Sequence, residues 1–71
     1  MVHYITADDL LDRSAGWWFK EFEENTRGKF NSERALQEFR KLSNHRSLED
    51  IAAEDVAEYI NTVIRSLGFK I

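Results

Sequence analysis

The chain of 71 residues contains no cysteine, no proline and only three glycines. The lack of cysteine excludes a disulfide framework and thiolate chemistry. It also fits a reducing compartment, so we expect a cytoplasmic location. Proline and glycine are the residues that helices tolerate least. Their scarcity favours an all-α fold.

Long hydrophobic runs are also missing. The longest apolar runs span three or four residues, whereas a membrane helix needs about 20. The amino-terminal stretch MVHYITADD has no basic start followed by an apolar run, so we expect no signal peptide. We therefore predict no contact with a membrane.

The length of 71 residues predicts a single domain, residues 1–71, because it is short for even one typical domain of about 100–200 residues. A chain of this size buries only about 60–65% of the surface that its unfolded state exposes. Each large apolar side chain therefore matters to its stability. The hydrophobic content of 42% with charges of both signs indicates a globular chain rather than a disordered one.

The formal net charge is −3, but the charges are grouped along the chain. Residues 7–24 carry a net −4, residues 27–46 a net +4 and residues 49–70 a net −3. One interpretation is that neighbouring antiparallel helices attract one another. The other is that the middle segment presents a basic surface to an acidic protein or to a phosphate backbone.

The first helix is predicted over residues 7–25, after a short N-terminal arm, residues 1–5. Thr6 and Asp9 have the spacing of a capping box, and an apolar run follows. Spacings of four, three and four residues place Leu11, Ala15, Trp18 and Phe22 on one helical stripe. Gly16 lies off this stripe, so the helix could restart there with Ser14 as a new cap.

Two further helices are predicted, over residues 32–44 and 54–67, with a short helical turn near 48–52 between them. The second helix begins near Ser32, with Asn31 as a competing cap. Each helix has an apolar stripe at helical spacing. The stripes consist of Ala35, Leu36, Phe39 and Leu42 in the second helix and Val56, Tyr59, Ile60, Val63, Ile64 and Leu67 in the third.

Glycines are predicted to end two of these helices. Gly28 suits a left-handed turn after the first helix. Gly68 suits the C′ position after the last one, where Phe69 and Ile64 would form the hydrophobic pair of a Schellman motif. The sequence thus predicts a compact bundle of three main helices.

Three consecutive aromatic residues, Trp17, Trp18 and Phe19, fan over about 200° of a helix. On the predicted stripe, Trp18 and Phe22 belong to the core. Trp17 and Phe19 then lie on opposite flanks. Either neighbouring parts of the chain cover both rings, or at least one ring is exposed as an anchor for a partner.

Catalytic and metal chemistry find little support in the sequence. His3 and His45 lie in different segments, without a serine and an acid beside either. Neither an HExxH motif nor a glycine-rich phosphate loop is present. We therefore expect no enzymatic activity, no cofactor and no metal site.

The middle segment offers an alternative function, nucleic-acid binding. A helix-turn-helix over residues 51–67 is not favoured, because its second helix would carry Glu54, Asp55 and Glu58 towards phosphate. The better candidates form a basic surface, which consists of Arg27, Lys29, Arg34, Lys41, His45 and Arg46.

The sequence pattern of residues 33–69, about half of the chain, resembles that of the SAM-like core-binding domain of tyrosine recombinases. The residues that carry the resemblance are Leu48, Asp50, Ile51, Glu54, Asp55, Val56, Tyr59 and Ile60. The resemblance implies a similar helix layout. It provides no catalytic domain and no tyrosine nucleophile, and this chain is acidic where a DNA clamp is basic.

The favoured hypothesis is a small non-enzymatic interaction module of the adaptor, regulator or inhibitor type. Its partner is expected to be a protein, bound through an aromatic and acidic surface of the first helix. That surface is predicted to consist of Trp17, Phe19, Leu10, Asp12, Glu23 and Glu24. The basic surface could instead face the acidic side of a second copy, which would give a homodimer.

Overall fold

The computed structural model describes residues 2–43 and 51–71, and its secondary structure there is entirely helical. It contains α1 (Ala7–Asp12), α2 (Ala15–Asn25), α3 (Ser32–Leu42) and α4 (Ala53–Ser66). Helix α3 packs against both α2 and α4, and α1 packs against α4. The radius of gyration of 11.0 Å is close to the value of about 11 Å expected for a compact chain of this length.

The predicted first helix, residues 7–25, is divided at Arg13 and Ser14 into α1 and α2. Arg13 and Ser14 have extended backbones, and the Ser14 hydroxyl accepts the Trp17 N–H at 3.3 Å. Ser14 is thus the cap of a new helix, which was the alternative considered for this segment. The capping box of Thr6 and Asp9 at the start of α1 is confirmed.

The other helices begin and end within two residues of their predicted bounds. Asn31 rather than Ser32 caps α3, with its side-chain oxygen 3.0 Å from the Arg34 nitrogen. Helix α4 ends in the predicted Schellman motif, in which Gly68 has φ +94° and the Phe69 N–H donates to the Ile64 carbonyl at 3.2 Å. Of the predicted turn near 48–52, residues 48–50 lie outside the described part, and Ile51 and Ala52 are not helical.

The turn after α2 contains an unexpected backbone conformation. Gly28 has φ +86°, as predicted for a left-handed turn, but Arg27 before it also has a positive φ of 54°. The Arg27 and Gly28 N–H groups donate to the Glu24 and Glu23 carbonyls. This pattern places Arg27 at the C′ position of a Schellman motif, where glycine is usual.

The core lies where α2, α3 and α4 meet. Five phenylalanines form its aromatic part, with ring centroids between 5.4 and 6.1 Å apart for the pairs Phe19–Phe30, Phe19–Phe39, Phe22–Phe30 and Phe30–Phe69. Helix α4 supplies the aliphatic part through Val56, Ile60, Val63 and Ile64, as its stripe predicted. Phe69 is partly buried against this cluster, so the chain end after Gly68 belongs to the packed structure.

The N-terminal arm is packed along the bundle. Ile5 is completely buried, and the Asn61 side chain of α4 binds both of its backbone polar groups at 2.8 Å. The side-chain oxygen of Asn61 accepts the backbone N–H of Ile5, and the side-chain NH₂ group of Asn61 donates to the backbone carbonyl of Ile5. Two residues earlier, the edge of the His3 ring contacts Trp18 and Phe22. The arm therefore joins α4 to α2.

Candidate interaction surface

The aromatic triplet in α2 is divided differently from the predicted arrangement. Phe19 is completely buried, together with Ala15 and Phe22, whereas Trp18 is only partly buried. Of the two flanking rings that the sequence left undecided, the fold therefore covers Phe19 and leaves Trp17 exposed. Phe19 cannot be an anchor for a partner, and Trp18 packs at the edge of the core rather than in its centre. Positions 15, 18 and 22 and positions 15, 19 and 22 have equally good helical spacing. Only Leu11 favoured the first set, and the break at Ser14 removes Leu11 from that stripe.

Trp18 lies at the edge of the core for a chemical reason. Its indole N–H needs a hydrogen-bond acceptor when the ring is covered. It donates to the Asp9 carbonyl of α1 at 3.1 Å. The His3 ring covers part of it, with centroids 5.2 Å apart and planes at 88°. The N-terminal arm thus covers part of the Trp18 ring.

Within the triplet, Trp17 is the ring that the fold leaves open, with 41% of its surface exposed. Its ring stands perpendicular to that of Trp18, with centroids 4.9 Å apart. The Arg13 guanidinium carbon lies 5.1 Å from the centre of the Trp17 ring. Trp17 is therefore held by Trp18 and touched by Arg13 while much of its surface faces solvent.

The other residues predicted for this surface have different roles. Leu10 is partly buried against the core and lines a groove of about 200 Å³ together with Ala15, Ile51 and Val56. Glu23 is also not a rim residue, because its carboxylate accepts the Ser32 N–H at 3.0 Å at the start of α3. Asp12 and Glu24 are exposed, as the predicted surface requires.

Sequence reasoning missed two residues of this surface. Leu11 was placed in the core, but it is 79% exposed on α1. Arg13 was given no role, but its guanidinium reaches the Trp17 ring across the non-helical junction between α1 and α2. Helical spacing does not account for this contact, so the sequence carried no signal for it. The exposure of Leu11 depended on the break at Ser14, which separates α1 from α2.

The basic surface is only partly within the described residues. Arg27, Lys29, Arg34 and Lys41 are exposed, and His45 and Arg46 lie outside the described part. Lys41 pairs with Glu38 at 3.7 Å on the solvent side of α3. Glu33 is also exposed on this helix. The cations of α3 are thus interleaved with acids.

Two further observations concern chemistry and membranes. Within residues 2–43 and 51–71, three or more histidine or acidic side chains nowhere gather as a metal ion would require. In the same residues, each helix is too short or too polar to cross a bilayer.

Comparisons of this chain with models of known protein families, with curated protein sequences and with solved structures gave no match. The resemblance to the core-binding domain of tyrosine recombinases therefore has no support beyond the residues that suggested it. Leu48 and Asp50, two of those residues, lie outside the described part.

Proposed function

We propose that this chain is a small non-enzymatic interaction module that binds a protein partner through the outer side of α1 and α2. The observation that carries the proposal is the exposure of Trp17, at 41%, beside two aromatic neighbours that the fold covers. Tryptophan is the residue type most enriched among the side chains that dominate binding energy in protein interfaces. An adaptor, a regulator or an inhibitor would all use such a surface.

We name this the Trp17 surface and define it by Leu11, Asp12, Arg13, Trp17 and Glu24. Leu11 and Trp17 supply its exposed apolar area. Asp12, Arg13 and Glu24 are exposed charged residues that would orient a partner and raise its association rate. Phe19 and Glu23, which the sequence suggested, are left out because the fold uses both internally.

A pull-down from the native host's lysate tests the proposal. The wild-type chain and Trp17→Ala are compared with Leu42→Ala, which truncates an exposed apolar side chain on α3. We expect Trp17→Ala to lose the partner and Leu42→Ala to keep it. A partner retained equally by wild type and Trp17→Ala would contradict the assigned surface.

The same variants need a check of their fold. Far-ultraviolet circular dichroism and a thermal melt establish that Trp17→Ala is folded under the conditions of the pull-down. Iodide quenching of tryptophan fluorescence then measures whether the Trp17 ring is accessible in the wild-type chain. If both tryptophans are shielded in a monomer, Trp17 is not available as an anchor and the proposal fails.

Nucleic-acid binding through the basic surface is the alternative proposal. The exposure of Arg27, Lys29 and Arg34 supports it, and the acids interleaved on α3 weaken it. Binding by this surface would fall steeply with salt, because released counterions drive it. Absence of DNA and RNA binding at about 50 mM salt would eliminate it.

A cytoplasmic location is part of the proposal and is supported by the absence of cysteine. Self-association is a further way to cover the Trp17 ring. Light scattering over a range of concentrations distinguishes a homodimer from a monomer that binds another protein.

A further inference from the structure

We propose that the Trp17 ring face receives a cationic side chain of the partner, and that Arg13 occupies that face until the partner displaces it. The inference rests on the proposed function and names the chemistry of the partner: a basic segment that presents arginine or lysine. The Arg13 guanidinium lies over the ring, 5.1 Å from its centre.

The Trp17 ring has the properties of a cation-binding face. The face of an indole ring carries a partial negative charge, which attracts a guanidinium or an ammonium ion within about 6 Å of the centroid. The perpendicular Trp18 ring packs against it at 4.9 Å and holds its orientation. Trp18 is in turn fixed by its hydrogen bond to the Asp9 carbonyl and by the His3 ring. The face is therefore fixed before a partner arrives.

Arg13 is a replaceable occupant of this face. It is exposed, and its guanidinium donates a hydrogen bond of 3.3 Å to the backbone carbonyl of the adjacent Asp12. Water can replace that bond at little cost, because the carbonyl is exposed. A partner cation can thus take the position of Arg13 without disturbing the core.

The surrounding charge favours a basic partner over an acidic one. Residues 7–25 carry six acids and two bases, a net −4. Helical spacing places Glu21 and Glu24 on the same side of α2 as Trp17, together with one base, Lys20, so acids outnumber bases there. A basic segment would gain attraction from these acids, whereas an acidic one would be repelled.

The test uses a short peptide of alternating arginine and glycine as the probe, with a glutamate–glycine peptide for comparison. Binding is followed by tryptophan emission and by calorimetry at low salt. We expect the arginine peptide to bind and the glutamate peptide not to bind. Trp17→Leu is expected to weaken binding by about two- to fivefold, the contribution of one exposed cation–π contact.

Arg13→Ala gives the decisive comparison. If Arg13 competes with the probe, its removal makes the arginine peptide bind about two- to fivefold more tightly. Lys20→Ala removes the same charge from α2 without removing a group stacked on Trp17, and it controls for the change in net charge. The gain from Arg13→Ala beyond that of Lys20→Ala should vanish in the Trp17→Leu background.

Three results would overturn the inference. The first is weaker peptide binding by Arg13→Ala, which would make Arg13 a contact rather than a competitor. The second is an equally large gain in peptide affinity from Lys20→Ala, which would show that the effect of Arg13→Ala comes from net charge alone. The third is a dimer dissociated by Trp17→Leu, which would show that a second copy covers the ring.

The failure of this inference differs from the failure of the proposed function. A Trp17-dependent partner with an acidic contact segment would overturn the cationic ligand and leave the interaction module standing. A partner retained by Trp17→Ala would remove the module's assigned surface, whatever the peptides do.

Discussion

Single residues in this small domain have functions that their type alone does not reveal. Asn61 is 2% exposed and forms no part of any polar surface. Its amide pairs with the backbone of Ile5 as a neighbouring strand would, which satisfies a donor and an acceptor that burial would otherwise leave without partners. The N-terminal arm therefore depends on one side chain of α4.

Asn61→Ala is expected to lower the free energy of unfolding by about 2–3 kcal/mol, since two buried backbone groups lose their partners or Ile5 leaves the core. Urea denaturation measures this loss. Thr62→Ala is the control, because the Thr62 hydroxyl only bonds to the Glu58 carbonyl within the exposed side of the same helix. Equal stability of Asn61→Ala and wild type would show that the pairing of Asn61 with Ile5 adds nothing to the fold.

Arg27 is a second residue whose backbone matters more than its side chain. Its φ of 54° is strained for a residue with a Cβ atom. Arg27→Gly should therefore raise the free energy of unfolding by about 0.5–1 kcal/mol, after the greater freedom of glycine in the unfolded chain is subtracted. A thermal melt checks this.

Lys29→Gly is the matched control for Arg27→Gly. Lys29 lies in the same turn and is also basic and exposed. Unlike Arg27, it does not have a positive φ. Glycine there should lower the stability slightly, because it adds freedom to the unfolded chain without relieving strain. Equal effects of the two changes would argue against strain at Arg27.

At the scale of elements, the junctions between helices decide which surfaces are free. Ser14 starts α2 in a new register, so that Leu11 of α1 faces solvent. Glu23 near the end of α2 binds the first N–H group of α3 and fixes the angle between the two helices. Adjacent acids can thus differ: Glu23 belongs to the fold, and Glu24 lies on the surface.

Glu23→Ala and Glu24→Ala separate these two roles. Glu23→Ala is expected to cost about 1–2 kcal/mol of stability, because the Ser32 N–H loses a charged acceptor near a helix N-terminus. Glu24→Ala should leave the stability within about 0.5 kcal/mol of wild type and weaken partner binding. Chemical denaturation and the pull-down measure the two effects, and the reverse assignment would contradict this division.

For the whole molecule, the core is small enough that a single ring decides whether the chain folds. A domain of this length has a free energy of unfolding of roughly 4–10 kcal/mol. Phe19 contacts both Phe30 and Phe39, and so links α2 to α3. The buried polar side-chain atoms of the described residues all have hydrogen-bond partners. The stability of the fold is therefore limited by its apolar packing rather than by unsatisfied polar groups.

Phe19→Ala is therefore expected to remove about 3–5 kcal/mol and to leave much of the chain unfolded. Trp17→Ala should cost less, about 1–2.5 kcal/mol, because 41% of its surface already faces solvent. Thermal melts of both variants, monitored by circular dichroism, provide the comparison. Comparable losses in the two variants would mean that Trp17 belongs to the core and is not a surface anchor.

The sequence alone predicted much of the local structure. The capping box at Thr6 and the Schellman motif at Gly68 follow from interactions between residues at most five positions apart, and the cap at Asn31 was one of two that the sequence offered. The stripe of α4 follows from helical periodicity. Such interactions do not depend on the rest of the fold. The all-helical character and the approximate bounds of α3 and α4 could therefore be predicted from the sequence.

Only the tertiary structure decided which aromatic side chains are buried. Two sets of residues in α2 have equivalent spacing, so periodicity could not choose between Trp18 and Phe19. The choice depended on where α3 and the arm lie, and on the need of the Trp18 indole N–H for the Asp9 carbonyl. The pairing of Asn61 with Ile5 spans 56 residues and had no local signal. The exposure of Trp17 is the consequence of these long-range contacts.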